Sequence, residues 1–302
     1  MIPTRDRPDY VRRAVASALS QSVQDVEVLV VDDASATPIV FDDPRVRVFS
    51  LGRRVGVAAA RNVGLRAARG EWVVFLDDDD ELMSDMIEAS LAAAETSTLP
   101  QPVAVLSCSR VVDETGAVVD KRCPPETLPR GSRWFLSGGG EGGFRCERTM
   151  LAPIEPVLAV GGFDERFDAM EDKDFFLRLN AVCSIQGLHR ETYVKWEHDG
   201  PRLLSDALAR AEGIRLTLDK HGDEISTDRR KHARLLGSMA MGYLIAGRRR
   251  RAISAGFAAI ARDPTQPRLY ALAFATLAGR RALALGTRIR ARRGMRRRPV
   301  EA

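Results

Sequence analysis

Four consecutive carboxylates, Asp77-Asp78-Asp79-Asp80, form the densest group of reactive side chains in the sequence. Adjacent carboxylates repel one another unless a cation or solvent relieves them. Mg²⁺ and Mn²⁺ are hard cations that take oxygen ligands and bridge carboxylates to a diphosphate. Read as the end of a strand, the run sends Asp77 and Asp79 to one side and Asp78 to the other. A solvated acidic turn is the competing reading. Three further groups could do chemistry. Asp32-Asp33 follows the apolar run EVLVV, where a carboxylate can accept from a ribose hydroxyl or a base N–H, although Asp is also an ordinary turn residue. Glu171-Asp172 opens an amphipathic segment, where it is either a helix-terminal charge or a general base for an attacking hydroxyl. His198 lies in Trp196-Glu197-His198-Asp199-Gly200 and is either structural or a metal-side ligand.

These groups need a scaffold, and the first half of the chain alternates strand and helix patterns. Met1 to Thr4 reads as the end of a strand, and Pro8 opens a helix with Val11, Ala14, Val15, Ala18 and Leu19 on one face. Glu27 to Val31, Val46 to Phe49, Trp72 to Leu76 and Val103 to Cys108 read as strands, the third being continuously apolar as in a buried parallel strand. Val57 to Ala68 reads as a helix stopped by Gly70, and Ser84 to Glu95 as a helix capped by Ser84. The rhythm predicts an α/β fold, with a mostly parallel sheet flanked by helices. Such sheets bind ligands beyond the carboxyl ends of their strands, so Asp32-Asp33 and Asp77 to Asp80 should face one crevice.

From Val118 to Ala159 the pattern weakens, and the glycines from Gly138 to Gly143 mark either a substrate-covering loop or an ordinary surface excursion. Glu171 to Val182 reads as a helix and Thr192 to Trp196 as a strand. Beyond Pro201 the chain reads as helical, over Leu203–His221, Arg229–Ala246, Arg250–Arg262 and Pro267–Arg290.

The net charge of +5 is unevenly spread. Ala246 to Ala302 carries 15 basic and 2 acidic residues, so the rest of the chain is acidic overall. That basic region suits either docking on an anionic membrane surface or a set of solvated helix faces. It lacks the interleaved aromatics of a nucleic-acid reader, so no nucleic-acid partner is expected. Cys108, Cys123, Cys146 and Cys183 form no CxxC pair and are expected as free thiols of a reducing cytosol. No leader peptide and no transmembrane run is evident.

In order, IPTRDRP, VEVLVVDDAS, GVAAARNVGLRAARGEWVVFLDDDD, GGFDERFDAMEDKDFFLRL and YVKWEHDGPRLLS resemble family 2 glycosyltransferases, across about residues 1 to 205. The resemblance implies a GT-A (Rossmann-like) transferase domain over 1–204 and a helical, Arg-rich C-terminal region over 205–302. It implies inverting transfer of a sugar from a nucleoside-diphosphate sugar, first of all a UDP-sugar, to a hydroxyl of a glycan or lipid-linked acceptor. It further implies a divalent metal cofactor, Mg²⁺ or Mn²⁺. The cysteine usage and the lack of a leader run predict a cytoplasmic protein, and the basic region allows a peripheral place on the inner face of a membrane.

Carried over position by position, Pro3, Thr4, Arg5, Asp33, Arg61 and Asp78 bind the nucleotide sugar. Asp77, Asp79 and His198 hold the metal. Asp172 is the catalytic base, with Glu171 beside it. Two departures from the family pattern stand out. The chain begins at Met1, where the family has several apolar residues before IPT, which implies a short first strand or a start further upstream. Arg5-Asp6 replaces the usual Tyr-Asn.

A catalytically inactive nucleotide-sugar binder or scaffold is the alternative. A haloacid-dehalogenase-type phosphatase would want Thr or Val where Glu81 and Leu82 stand, and a sugar-nucleotide pyrophosphorylase would want glycines before Pro8.

Overall fold

The computed structural model describes residues 1–124, 127–132, 150–197 and 206–278. The chain divides into two compact units, Met1–Gly200 and Pro201–Ala302.

In the first unit, β1 (Ile2–Thr4), β2 (Val28–Asp32) and β3 (Val46–Ser50) pair in parallel with β2 in the middle. All five residues of β2 are buried, which is why its run reads as continuously apolar. The helix α1 (Pro8–Leu19) starts with Pro at its first position and buries Val11, Ala14 and Val15. The helix α2 (Val57–Ala67) follows β3. The next strand, β4 (Trp72–Val74), lies beside β1, because the Met1 nitrogen donates to the Val74 carbonyl at 2.9 Å and the Leu76 N–H to the Met1 carbonyl at 3.0 Å. Those two bonds carry the hydrogen-bonded ladder from β1 across to β4.

Beyond β4 the sheet is mixed. It contains β5 (Glu81–Leu82), β6 (Val103–Val112), β7 (Val118–Arg122), β8 (Thr127–Leu128), β9 (Met150–Pro153) and β10 (Ser184–Trp196). β9 pairs antiparallel with β4 and β6, while β6 and β10 pair in parallel over ten registered positions. The parallel character expected of the sheet therefore resides in β1–β2–β3 and the central β6–β10 ladder, and the shorter pairings are antiparallel. Helices α3 (Met86–Glu95), α4 (Ile154–Ala159) and α5 (Glu171–Val182) complete the unit. Phe75 contacts Phe163 and Phe175 edge-on in the core beneath α5.

Four expectations change. α3 begins at Met86 with Asp85 at its N-cap, and no side chain caps it, so Ser84 does not serve as predicted. β6 and β10 run longer than their apolar cores suggest, because polar residues such as Ser107 and Thr192 are buried in mutual hydrogen bonds. The weak stretch after Val118 contains β7, β8, β9 and α4. Cys108 and Cys123 are not free: they form a disulfide. The β6–β7 ladder pairs Ser109 with Arg122, which sets Cys108 directly opposite Cys123 with Cα atoms 4.1 Å apart. Cys183 is a buried free thiol whose pKa burial pushes up to about 12.

The second unit holds α6 (Ala207–Ser226), α7 (Arg229–Ile245), α8 (Arg249–Arg262) and α9 (Pro267–Ala278). Asp206 and Asp228 cap α6 and α7 through side-chain acceptors. Among the described residues, no helix is long and apolar enough to cross a membrane.

Candidate active site

The carboxyl ends of β1, β2 and β4 converge, as a parallel arrangement requires. The strand pairing of β4 stops at Val74, so the aspartates form a turn rather than a strand end, closed by the Asp80 N–H on the Asp77 carbonyl at 3.2 Å. The predicted division still emerges, through partners instead of pleat. Asp78 is 7% exposed and turns inward, accepting from the Thr4 hydroxyl at 2.8 Å and from Arg7 Nη1 at 3.1 Å. Burial pushes its pKa up to about 6, against the hydrogen bond from Thr4 and the charge of Arg7.

Asp77, Asp79 and Asp80 each offer a carboxylate oxygen, and these atoms lie within 4.8 Å of one another. An all-oxygen trio at that spacing fits a hard divalent cation. Asp80, absent from the predicted ligands, is the most enclosed of the three. It accepts from the Tyr193 hydroxyl at 2.9 Å and the Trp196 N–H at 3.0 Å, with Lys195 Nζ at 3.6 Å. Burial pushes its pKa up to about 7, against the nearby Lys195 charge. Asp80 therefore pins the acidic turn to β10, leaving Asp77 and Asp79 as the more accessible oxygens. His198, the third predicted ligand, lies outside the described residues.

Arg7, absent from the sequence candidates, also belongs to this cluster. Its Nη1 sits 3.1 Å from both Asp78 and Asp79, so one guanidinium partly neutralises the turn. Its signal was the second arginine of IPTRDRP, at the start of α1.

Arg61 was expected to touch the nucleotide. Its side chain is 0% exposed, and both terminal nitrogens are engaged within the protein. Nη1 donates to Glu171 Oε1 at 2.7 Å and Nη2 to Asp77 Oδ1 at 2.8 Å, while the guanidinium lies 5.1 Å from the Phe163 ring centre. The planar fork of an arginine can hold two carboxylates at once. It ties the acidic turn to the first residue of α5. Glu171, 3% exposed, is held by that fork. Its neighbour Asp172 is half-buried, borders a small apolar cavity with Phe75, Met150, Phe163, Phe175 and Phe176, and accepts from the Lys173 N–H. Met170, immediately before α5, is left-handed (φ 69°), which starts the helix abruptly beside the turn.

Asp33 is 7% exposed and receives the Val55 N–H at 2.6 Å on one oxygen and the Gly56 N–H at 3.0 Å on the other. Gly56, at φ 91°, is the N-cap of α2, so the carboxylate holds the amino end of that helix, where negative charge is favoured. In this structure Asp33 orders the loop before α2. Pro3 is buried in the β1–β2 ladder opposite Val31. Arg5 is exposed and pairs with Asp6 at 3.4 Å. Asp6, itself at φ 52°, receives the Ala36 N–H at 2.8 Å, so the loops after β1 and β2 are stitched together beside the crevice.

Residues 1–122 match the family model "Glycosyl transferase family 2". A succinoglycan biosynthesis protein, ExoO, of Rhizobium meliloti is 44% identical over 94 residues, covering 30% of this chain and 27% of that protein. A chondroitin synthase of Pasteurella multocida is 28% identical over 205 residues, covering 65% of this chain and 20% of that protein. An uncharacterized glycosyltransferase of Haemophilus influenzae is 28% identical, covering 59% of this chain and 60% of that protein. The chain thus spans less than two thirds of the length of these relatives. Among solved structures, S. aureus TarS 1-349 in complex with UDP-GlcNAc superposes with a TM-score of 0.63 at 20% identity, covering 90% of this chain and 82% of that one. This likeness shows the GT-A fold.

Proposed function

We propose that this chain, whose residues 1–122 belong to glycosyl transferase family 2, moves a sugar from a nucleoside diphosphate to an acceptor hydroxyl with inversion at the anomeric carbon. The observation that carries the reading is the coupling of two acidic groups at the carboxyl end of the sheet: the Asp77–Asp80 turn and the Glu171-Asp172 helix start, joined through Arg61. The first suits a diphosphate and its counter-ion, the second an incoming hydroxyl.

In this reading Asp78, Thr4 and Arg7 orient the donor's nucleotide portion from the ends of β1 and β4. Asp77 and Asp79, supported by Asp80, would hold a Mg²⁺ or Mn²⁺ ion, which supplies charge neutralisation for the departing diphosphate. Asp172 accepts the proton of the acceptor hydroxyl as that oxygen attacks the anomeric carbon opposite the leaving group. One displacement inverts the carbon, so no covalent nucleophile is required. Glu171, held by Arg61, fixes where Asp172 begins on α5. A UDP-sugar is the donor of choice, supported by the UDP-GlcNAc held by the TarS fold relative. The acceptor is a glycan or lipid-linked hydroxyl, in keeping with relatives named for polysaccharide synthesis. The transferase domain is assigned to 1–204 and the Arg-rich helical region to 205–302, and that second region would hold the protein at the inner face of a membrane.

The test is a thermal-shift panel of UDP-, GDP-, dTDP- and CDP-sugars with and without Mn²⁺, on the wild type and Asp79→Ala, followed by turnover of Asp172→Asn. A ligand at about 100 times its Kd stabilises by about 2.7 kcal/mol. Stabilisation by one nucleotide class that depends on Mn²⁺ and vanishes in Asp79→Ala is expected. Asp172→Asn should keep donor binding and lose roughly 10²- to 10⁴-fold in rate. Near-normal turnover of Asp172→Asn would remove it as the base.

A further inference from the structure

We propose that the outward face of α9, with the exposed Arg248, Arg249 and Arg250 beside its carboxyl end, docks on an anionic phospholipid surface. This deepens the membrane contact proposed above, yet it rests on the helical unit alone and does not require sugar transfer.

The helix α9 has the sequence PRLYALAFATLA, in which Arg268 is the single charged residue. Its inward face is accounted for. Leu269, Ala273 and Thr276 are buried, and Gly256 of α8 lies against Ala273 and Thr276. The outward face is also apolar. Tyr270, Phe274 and Leu277 recur at one helical stripe and are 49%, 72% and 44% exposed. On α8, Phe257 is 52% exposed as well. A helix facing water carries polar residues on its outer side, and one that is apolar all round has both faces covered.

The charges around this stripe say what covers it. Arg249 Nη2 donates to the Leu277 carbonyl at 2.5 Å, which brings the Arg248–Arg251 run to the carboxyl end of α9. Arg248, Arg249 and Arg250 are exposed. Directly after α9 the sequence from Arg280 to Arg298 holds nine arginines and no acidic residue. An aromatic and aliphatic stripe continuous with dense arginine is the pattern of a helix lying in the plane of a membrane interface. Basic residues near anionic headgroups add to binding and lose their effect beyond a Debye length. A second copy of the chain would instead bring two arginine clusters together, and like charge opposes that pairing.

The test is flotation of the full chain with vesicles of phosphatidylcholine alone and of equal parts phosphatidylcholine and phosphatidylglycerol. Binding is expected on the mixed vesicles, at least about tenfold weaker on the neutral ones, and weakened by salt. Phe274→Asp should lose at least about tenfold in binding to mixed vesicles, whereas Phe274→Trp, which keeps an interfacial aromatic, should retain it. Both variants should melt as the wild type does, because Phe274 is largely exposed. Equal binding to both vesicle types overturns the proposal, as does Phe274→Asp floating like the wild type, which would leave the arginines alone as the contact. Absence of flotation together with a concentration-dependent dimer that Phe274→Asp dissolves would also overturn it, in favour of a second copy. Donor-induced thermal shifts of Phe274→Asp should match the wild type, so failure of the transferase reading is read separately.

Discussion

Replacing Arg61 by methionine should separate the two acidic groups of the site. Methionine keeps much of the side-chain volume and its contact with Phe163, while removing both charge-assisted hydrogen bonds. Glu171 is 3% exposed and Asp77 is partly open, so the substitution takes the guanidinium from one enclosed carboxylate and from one accessible to solvent. Removing one partner of a buried ion pair costs about 3–5 kcal/mol, and most of that should fall on Glu171. At roughly 2–4 °C per kcal/mol for a unit of this size, the unit carrying the site should melt some 6–20 °C lower. Arg61→Lys restores one charge but cannot hold two carboxylates in one plane. It should recover part of the stability and still show a lower kcat with donor KM little changed, because Asp172 is displaced rather than removed. Glu171→Gln combined with Arg61→Met removes the buried Glu171 charge as well and should recover at least about 1 kcal/mol, a coupling of the size expected for residues in contact. If Arg61→Met melts within about 1 kcal/mol of the wild type and the double variant is no better, the buried fork does not hold the site together.

Three further outcomes follow from the same contacts. The raised pKa of Asp78, about 6 against an ordinary 3.8, means the folded state binds an extra proton between those values. The metal-free protein should therefore lose stability as pH rises through about 4 to 6, relative to Asp78→Asn. Melting curves in EDTA across that window check this, and a gain in stability relative to Asp78→Asn would contradict it. Mn²⁺ should shift the melting temperature more at pH about 8 than at pH about 6, since Asp80, its pKa raised to about 7 by burial, must lose its proton to serve beside the ion. Cys108→Ser opens a loop of 15 residues and should cost about 3 kcal/mol by chain entropy, measured by denaturant unfolding without reductant, whereas Cys183→Ser leaves that disulfide intact.

Much of the scaffold was legible because local patterns and tertiary burial agree. The apolar run of β2, the proline at the start of α1 and the acidic opening of α5 each state their element within a dozen residues. Local pattern failed where burial is polar or partners are distant. β10 runs from Ser184 although its apolar core is short, because it pairs with β6 along its length. The Cys108–Cys123 bond required knowing that β7 folds back on β6, a register that spacing alone does not encode.

The candidate site was legible in residue type and illegible in role. The structure brings together Thr4, Asp77, Asp78 and Asp79, which the sequence singles out because acidic residues after buried strands share one crevice. It could not assign which charges face a ligand and which face each other, because that depends on partners 70 to 110 residues away, as between Arg7 and Asp78 or between Arg61 and Glu171. An arginine in a small-residue helix reads as a surface cation. Here alanines at Ala58, Ala59 and Ala60 let α2 pack close to the sheet, and the arginine that follows has nowhere to go but inward. Buried there, it is sustained by Glu171 on one side and Asp77 on the other. Any cation drawn to Asp77 must share that carboxylate with Arg61. The strength of metal binding and the placement of α5 are thus linked through one guanidinium.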